Sequence, residues 1–276
     1  MSSPPAVTRI RRAYARAKAA AGGAWHARIT IGDRVVVSDS DDEPVPGYSI
    51  QKLFVAAAVL SRVPLDRRVR LRSTDVLGGS GLYHLQPVHG DELTAAGVLT
   101  ALLLVSDNTA VRLCGRLLPA AEINDTLGSL GFARTRVAPT PDPARFFLGD
   151  TTARETHDLL TRLAAGTLLD PAGTAFVLAV LRSPTGYHDG IRHDLSGPAR
   201  TRVATKHGAD HDTRGAARHE AGIVFARNET PAAVYALFAH TLSGADDYGP
   251  THPAAKAHAA LGRAMWAATR EPGPPD

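Results

Sequence analysis

The stretch Tyr48-Ser49-Ile50-Gln51-Lys52, running on as L-F-V-A-A-A-V-L to Leu60, is where the chain changes character. Before it, A-W-H-A-R-I-T-I (24–31) and D-R-V-V-V-S-D (33–39) read as two strands joined around Gly32-Asp33, an antiparallel hairpin behind a surface helix over 6–21. From 49 to about 195 the signals are helical. T-A-A-G-V-L-T-A-L-L-L-V, T-A-V-R-L-C-G-R-L-L and D-P-A-G-T-A-F-V-L-A-V-L start with capping or first-turn residues, and Gly128, Gly131 and Gly166 stand where helices can stop. After 200 strand patterns return in T-R-V-A-T-K, H-E-A-G-I-V-F-A and A-A-V-Y-A-L-F-A, before an alanine-rich helix at about 252–269. Strands from both ends around a helical insert predict an α+β fold. Residues 1–48 and 196–276 would form one antiparallel sheet with covering terminal helices, and 49–195 an all-helical unit, with a cleft between them.

The helix that opens the insert places Ser49 and Lys52 three residues apart, on one face, where the amine can reach the hydroxyl. A serine alcohol is a poor nucleophile until a neighbouring base takes its proton, and a desolvated lysine can be that base. Alone, the spacing equally fits a serine at a helix start beside a solvated lysine. Ser106-Asp107-Asn108 lies between two apolar helical runs, as a set of N-cap residues or as a proton relay with an amide holder. Lys206-His207-Gly208 ends a strand-like run, where glycine lets the backbone approach a ligand.

Composition narrows the class. With 276 residues, 44% hydrophobic and 21% charged, the chain is globular rather than disordered or collagen-like, and a single cysteine excludes a disulfide scaffold. Cys114 reads as a small packed helix residue. The net charge is +4, yet acidic residues are interspersed and no basic recognition motif stands out, so no nucleic-acid partner is expected. No apolar run reaches the 18 or so residues of a membrane span, and Arg16 and Lys18 interrupt what an export signal would keep apolar. A cytoplasmic protein without membrane contact is expected. Four of 31 basic residues are lysines, and two of these, Lys52 and Lys206, fall in the motifs above. Arginine cannot replace lysine as a base.

Taken in order, S-x-x-K, S-D-N and K-x-G resemble the three-part signature of class A β-lactamases and penicillin-binding proteins. G-G-S-G-L-Y-H-L (78–85) and D-T-T-A-R-E-T (150–156) add to the likeness, which spans residues 24 to about 270. The resemblance implies Ser49 as the acylated nucleophile, Lys52 as its proton acceptor, Ser106 as the shuttle to the leaving group, and Lys206 as its electrostatic helper. It also implies Asn108 as a ligand of the substrate amide, and the N–H groups of Ser49 and Ala209, beside Gly208, as the oxyanion hole.

Two departures qualify it. The loop before D-T-T, R-T-R-V-A-P-T-P-D-P-A-R-F-F-L-G-D, looks shortened and holds no glutamate, the family's water-activating base. Asp142 is one remaining carboxylate there; Asp150 is the other, expected to pin the loop by pairing with Arg134 or Arg136. His207 replaces the usual threonine or serine, as an anion ligand, an acid/base, or a space filler. Arg218 is the candidate cation for a substrate carboxylate. The His/Asp runs at 188–194 and 207–212 match no metal pattern and read as polar loops, so neither metal nor cofactor is expected.

The expected activity is therefore that of a serine hydrolase or acyltransferase acting on a small amide, ester or lactam through acyl-Ser49, not an efficient β-lactamase. The alternatives are a DD-peptidase-like penicillin-binding enzyme and a silent acyl- or anion-binding module of the same fold. Oligomeric state is not legible.

Overall fold

Helix α1 (Pro4–Ala21) leads into strands β1 (Ala24–Ile31) and β2 (Arg34–Asp39) in the computed structural model, which describes residues 4–269. A short strand β3 (Val45–Pro46) and a 3-10 turn (Tyr48–Gln51) open the helical block. The block comprises α2 (Lys52–Leu60), α3 (Ala95–Leu104), α4 (Asn108–Leu117), α5 (Ala120–Ser129), α6 (Ala153–Ala164), α7 (Pro171–Arg182) and the single turn α8 (Gly197–Arg200). Within it, β4 (Arg68–Arg70) pairs with β5 (Glu92–Thr94), β6 (Ala138–Pro139) with β7 (Phe146–Phe147), and β8 (Asp150–Thr151) with β3. Strands β9 (Val203–Asp212), β10 (Gly215–Phe225) and β11 (Pro231–Leu242) and helix α9 (Pro253–Ala268) follow.

The five long strands form one antiparallel sheet in the order β2-β1-β11-β10-β9. Strand β1 lies against β11, from Ala24 opposite His240 to Ile31 opposite Ala233, so the two ends of the chain meet in mid-sheet. Alternation along each strand divides the core in two. Ala204, Ala221, Ile223, Val234, Ala236 and Phe238 pack against the helical block, whereas Val224, Tyr235, Leu237 and Ile29 pack against α1 and α9. Because both faces are covered, β11 reads as a near-continuous apolar run, and β10 is buried along nearly its whole length, Arg218, His219 and Glu220 included. Helix α1 docks by Val7, Ile10, Tyr14 and Ala17, a stripe at helical spacing. Helix α2 has no solvent face along Lys52–Val59 and is the axis of the helical block.

The α+β reading holds, with local differences. The 49–195 stretch contains two ladders of two or three residues, and a third joins its β8 to β3 just before it; they satisfy backbone groups of loops packed between helices. Residues 207–212, expected as a polar loop, are the outer half of β9 and pair with β10 as far as Asp212 opposite Gly215. Ladder bonds to one neighbour stabilise an edge strand whatever its side chains, so its polar end gives no strand signal. Gly131 and Gly166 adopt the left-handed conformation after α5 and α6, whereas Gly128 lies inside α5. No described helix is long and apolar enough to cross a membrane.

Candidate active site

Ser49 sits in the 3-10 turn that feeds α2, directly after Tyr48, whose φ of +42° puts a non-glycine residue in the left-handed region. Strand β9 runs against this turn. A Cβ on Gly208 would lie 3.0 Å from the Ile50 nitrogen and 3.2 Å from the Ser49 nitrogen, so glycine is what permits the approach. The close contact brings the K-H-G strand to the backbone N–H of Ser49.

One helical turn on, Lys52 is fully buried. Its Nζ donates to the Ser106 carbonyl at 2.5 Å, to Ser106 Oγ at 3.1 Å and to Asn108 Oδ1 at 2.9 Å. An ammonium has three donors, and here all three are directed at the S-D-N turn rather than at Ser49. Burial lowers the Lys52 pKa to about 7, opposed by the charge of Asp107. A neutral amine has two donors and a lone pair, so losing that proton leaves Lys52 able to accept one from a neighbouring hydroxyl.

Ser106 joins the two motif lysines. Its φ is +57°, and its Oγ accepts from Lys206 Nζ at 3.0 Å as well as from Lys52. Holding a serine in this region costs of the order of 1–3 kcal/mol and persists where surrounding contacts impose it. Lys206, also buried, donates to the His207 carbonyl at 2.7 Å, and desolvation first, then Lys52, pushes its pKa well below 10.5. Two amines on one hydroxyl cannot both hold their full charge cheaply, which favours the neutral form of at least one of them. Asp107 serves as the cap that its position suggests. It accepts from Ala110 N at the start of α4, and from Leu82 N and Tyr83 N of the 77–88 segment. The capping reading of S-D-N holds: Asp107 caps α4, while its neighbours Ser106 and Asn108 meet Lys52. Cys114 is buried in α4, its thiol pushed up to about 12, and is inert.

Residues 5–269 match the family model described as the β-lactamase enzyme family. The chain belongs to this family. Solved β-lactamases share its fold: that of Sphaerobacter thermophilus DSM 20745 has a TM-score of 0.75 at 23% identity, covering 95% of this chain and 97% of its own. That of Chitinophaga pinensis DSM 2588 has a TM-score of 0.79 at 19% identity, covering 94% and 98%. A mutant of PBP-A, solved as an acyl-enzyme complex with penicillin G, has a TM-score of 0.74 at 19% identity, covering 94% and 97%. No curated protein sequence matches the chain. It is a serine hydrolase of the β-lactamase-like superfamily.

Within this β-lactamase fold the structure brings Lys52, Ser106, Asn108 and Lys206 into one hydrogen-bonded cluster and sets Gly208 of β9 against the backbone of Ser49, with Ala209 next on the strand. It corrects the expectation for Arg218. The guanidinium is buried over the Tyr248 ring, 4.4 Å from its centroid, and donates to the carbonyls of Asp210, Ala217, Gly244, Ala245 and Asp247. These carbonyls take up its donors, so Arg218 ties the β11–α9 connection to the sheet and is not a free carboxylate ligand. His207 stacks on Tyr187, ring centroids 4.0 Å apart. Desolvation, then Lys206 and Lys52, holds its pKa well below 6.5, so the ring is a neutral wall at neutral pH.

Asp150 does not pin the 134–150 loop as expected. The anchor is Gln51, fully buried, whose Nε2 donates to the carbonyls of Arg136 at 3.1 Å and Asp150 at 2.5 Å while Oε1 accepts from Gly149 N at 2.7 Å. An amide can serve both carbonyls and an N–H, which no carboxylate can do. Asp142 is exposed and pairs with Arg145 at 3.3 Å. Three residues beside the Lys52–Ser106–Lys206 cluster escaped the sequence reading: Gln51, next to Lys52, Tyr187, on His207, and His219, under Tyr48. His219 is buried under Tyr48, bonded to the Pro46 carbonyl and Ala239 N, with its pKa depressed by burial to about 3. An uncharged amide beside Lys52 at the head of the apolar run L-F-V-A-A-A-V-L is the one signal that could have singled out Gln51. Among the described residues, no group of three or more His, Cys, Asp or Glu side chains is arranged to hold a metal.

Proposed function

We propose that the chain forms an acyl-enzyme on Ser49 from a small amide, ester or lactam and passes the acyl group to water or to another acceptor more readily than it destroys penicillins. Neutral Lys52 takes the Ser49 proton as Oγ bonds to the carbonyl carbon. The oxyanion is held by the N–H groups of Ser49 and Ala209, and Ser106 passes a proton to the departing nitrogen or oxygen. Lys206 keeps Ser106 oriented, and Asn108 faces the acyl amide. The observation that carries this reading is the bonding of one hydroxyl, Ser106 Oγ, to both Lys52 and Lys206.

The absence of a glutamate from the 134–150 loop supports slow hydrolysis of the acyl-enzyme. The same observation favours a second reading, a DD-peptidase-like penicillin-binding enzyme, whose adduct with penicillin would be long-lived. We place the reaction in the cytoplasm, in keeping with one cysteine that is buried and unreactive.

Intact-mass spectrometry after exposure to a fluorophosphonate and to a fluorescent penicillin tests both. A single adduct on wild type and none on Ser49→Ala is expected. No adduct on wild type, or an equal one on the variant, overturns acyl-Ser49 chemistry and leaves a binding module. Cleavage of D-Ala-D-Ala peptides selects the second reading.

A further inference from the structure

Behind the K-H-G strand lies a buried carboxylate that the reaction proposed above does not use. Glu220 of β10 stands opposite His207 of β9 and has no solvent contact. Successive side chains of a strand leave by opposite faces, so Thr205 and His207, on either side of Lys206, turn to the face of Glu220 while Lys206 reaches Ser106 on the other. Thr205 Oγ1 donates to Glu220 Oε1 at 2.8 Å, and the Tyr235 hydroxyl donates to Thr205 Oγ1 at 2.9 Å.

The same carboxylate holds the segment between α7 and α8. Ile191 N donates to Oε1 at 3.2 Å and to Oε2 at 3.0 Å, and a Cβ on Gly190 would overlap Oε2, so glycine is what admits the carboxylate. Next to them the buried Arg192 donates to the carbonyls of Leu181 at 2.6 Å, Ser183 at 2.9 Å and Val203 at 2.9 Å, tying the end of α7 to the start of β9. Fixed at 190–192, the segment lays Tyr187 on His207, ring centroids 4.0 Å apart. His258 Nδ1 of α9 lies 3.4 Å from Glu220 Oε2. A buried carboxylate is costly without donors around it. Here the donors come from the residue before Lys206 and from the segment that covers the residue after it.

Building on the acyl-Ser49 reading, we propose that Glu220 is a positioning residue for Lys206, holding β9 directly at Thr205 and, through the 187–191 segment and the Tyr187 ring, at His207. Strand β9 is an edge of the sheet, with ladder bonds to β10 alone. Its register is set by that ladder, but the 3.0 Å reach of Lys206 Nζ to Ser106 Oγ also needs the strand held at its proper depth. The two arms of Glu220 supply this hold, one on each side of the lysine.

Burst kinetics with p-nitrophenyl acetate, read over ester concentration, separate the binding constant from the acylation constant. In Glu220→Leu, which keeps neither arm, the acylation constant is expected to fall about tenfold with the binding constant within about twofold of wild type, since a catalytic group displaced by about 1 Å costs as much as 10²-fold. Glu220→Gln keeps a carbonyl oxygen for Thr205 and Ile191 N and should lose no more than about threefold. In a Lys206→Arg background Glu220→Leu should cost less than about twofold more, because both changes act on one contact. Thr205→Val and Tyr187→Leu each cut one arm and should each slow acylation about threefold, again with little further cost in Lys206→Arg; they decide the matter if Glu220→Leu does not fold. A lower melting temperature with wild-type acylation in Glu220→Leu, or losses that multiply with that of Lys206→Arg, overturn the proposal. Failure of a fluorophosphonate to label Ser49 overturns the acyl-enzyme reading and this role with it. Labelling at a rate indifferent to Tyr187, Thr205 and Glu220 overturns the positioning role alone.

Discussion

The relay at the cleft floor and the 134–150 loop beside it are built in opposite ways. On the floor, buried side chains meet side chains: two lysines share Ser106 Oγ, and Lys52 also holds Asn108. In the loop, Gln51 holds the backbone at Arg136, Gly149 and Asp150, and Asp142 turns to solvent with Arg145. Burying two amines is expensive, and they stay buried where chemistry uses their lowered pKa. Holding a loop by its amides needs no charge at all. The contrast is the one expected if Ser49 is acylated as proposed.

If the floor supplies the base, Lys52→Arg should break the contrast most. The guanidinium keeps its proton at all working pH, so acylation of Ser49 should fall by about 10³-fold or more in stopped-flow or intact-mass kinetics, with melting temperature recorded alongside. Near-normal acylation would show that Lys52 is not the proton acceptor.

The pH profile sharpens the same point. With Lys52 at about 7, acylation should reach a plateau above pH 8 and be about tenfold lower at pH 6. Stability should move in the same direction. The folded state gives up this proton near pH 7 while the unfolded chain keeps it to about 10.5, so this group's contribution to stability rises with pH across that window. A profile flat from pH 6 to 8.5 would contradict the assignment. Lys206→Arg comes next: the guanidinium would keep a charge near Ser106 but not the compact amine between Ser106 and the His207 carbonyl. Roughly tenfold slower acylation, still on Ser49, is expected.

How much of this was legible follows from where each signal lives. Ser49 and Lys52 are three residues apart on one helical turn, and S-D-N is a contiguous cap, but each alone also fits a structural role; the order S-x-x-K, S-D-N, K-x-G and the family it resembles joined them into one candidate site. Lys206 was legible because lysine is rare in this chain and a glycine two positions on marks close approach. Arg218 misled because its partners, Gly244 to Asp247, come from a connection that local pattern cannot place over β10. Tyr187 was invisible as a loop aromatic until β9 set His207 beneath it. Gln51 had a signal, an amide at the head of an apolar run, but its partners lie 85 to 99 residues away.

Gln51 therefore provides the finest test of the contrast. Gln51→Ala strips partners from two carbonyls and one N–H in a site with little room for water, at roughly 1–3 kcal/mol for each group left unpaired and less where water enters. A net loss of roughly 2–4 kcal/mol is expected, seen as a melting temperature lower by roughly 5–12 °C. Because Lys52, Ser106 and Lys206 draw on none of these bonds, acylation below the melting transition should stay within about fivefold of wild type. If it falls as far as in Lys206→Arg, the loop sets the geometry of the floor and the two regions act as one. If neither stability nor acylation moves, the loop is held by its other contacts, the Thr135–Thr151 bond at 2.7 Å and the Glu155 carboxylate on Arg134 N at 2.9 Å and Thr135 Oγ1 at 2.6 Å.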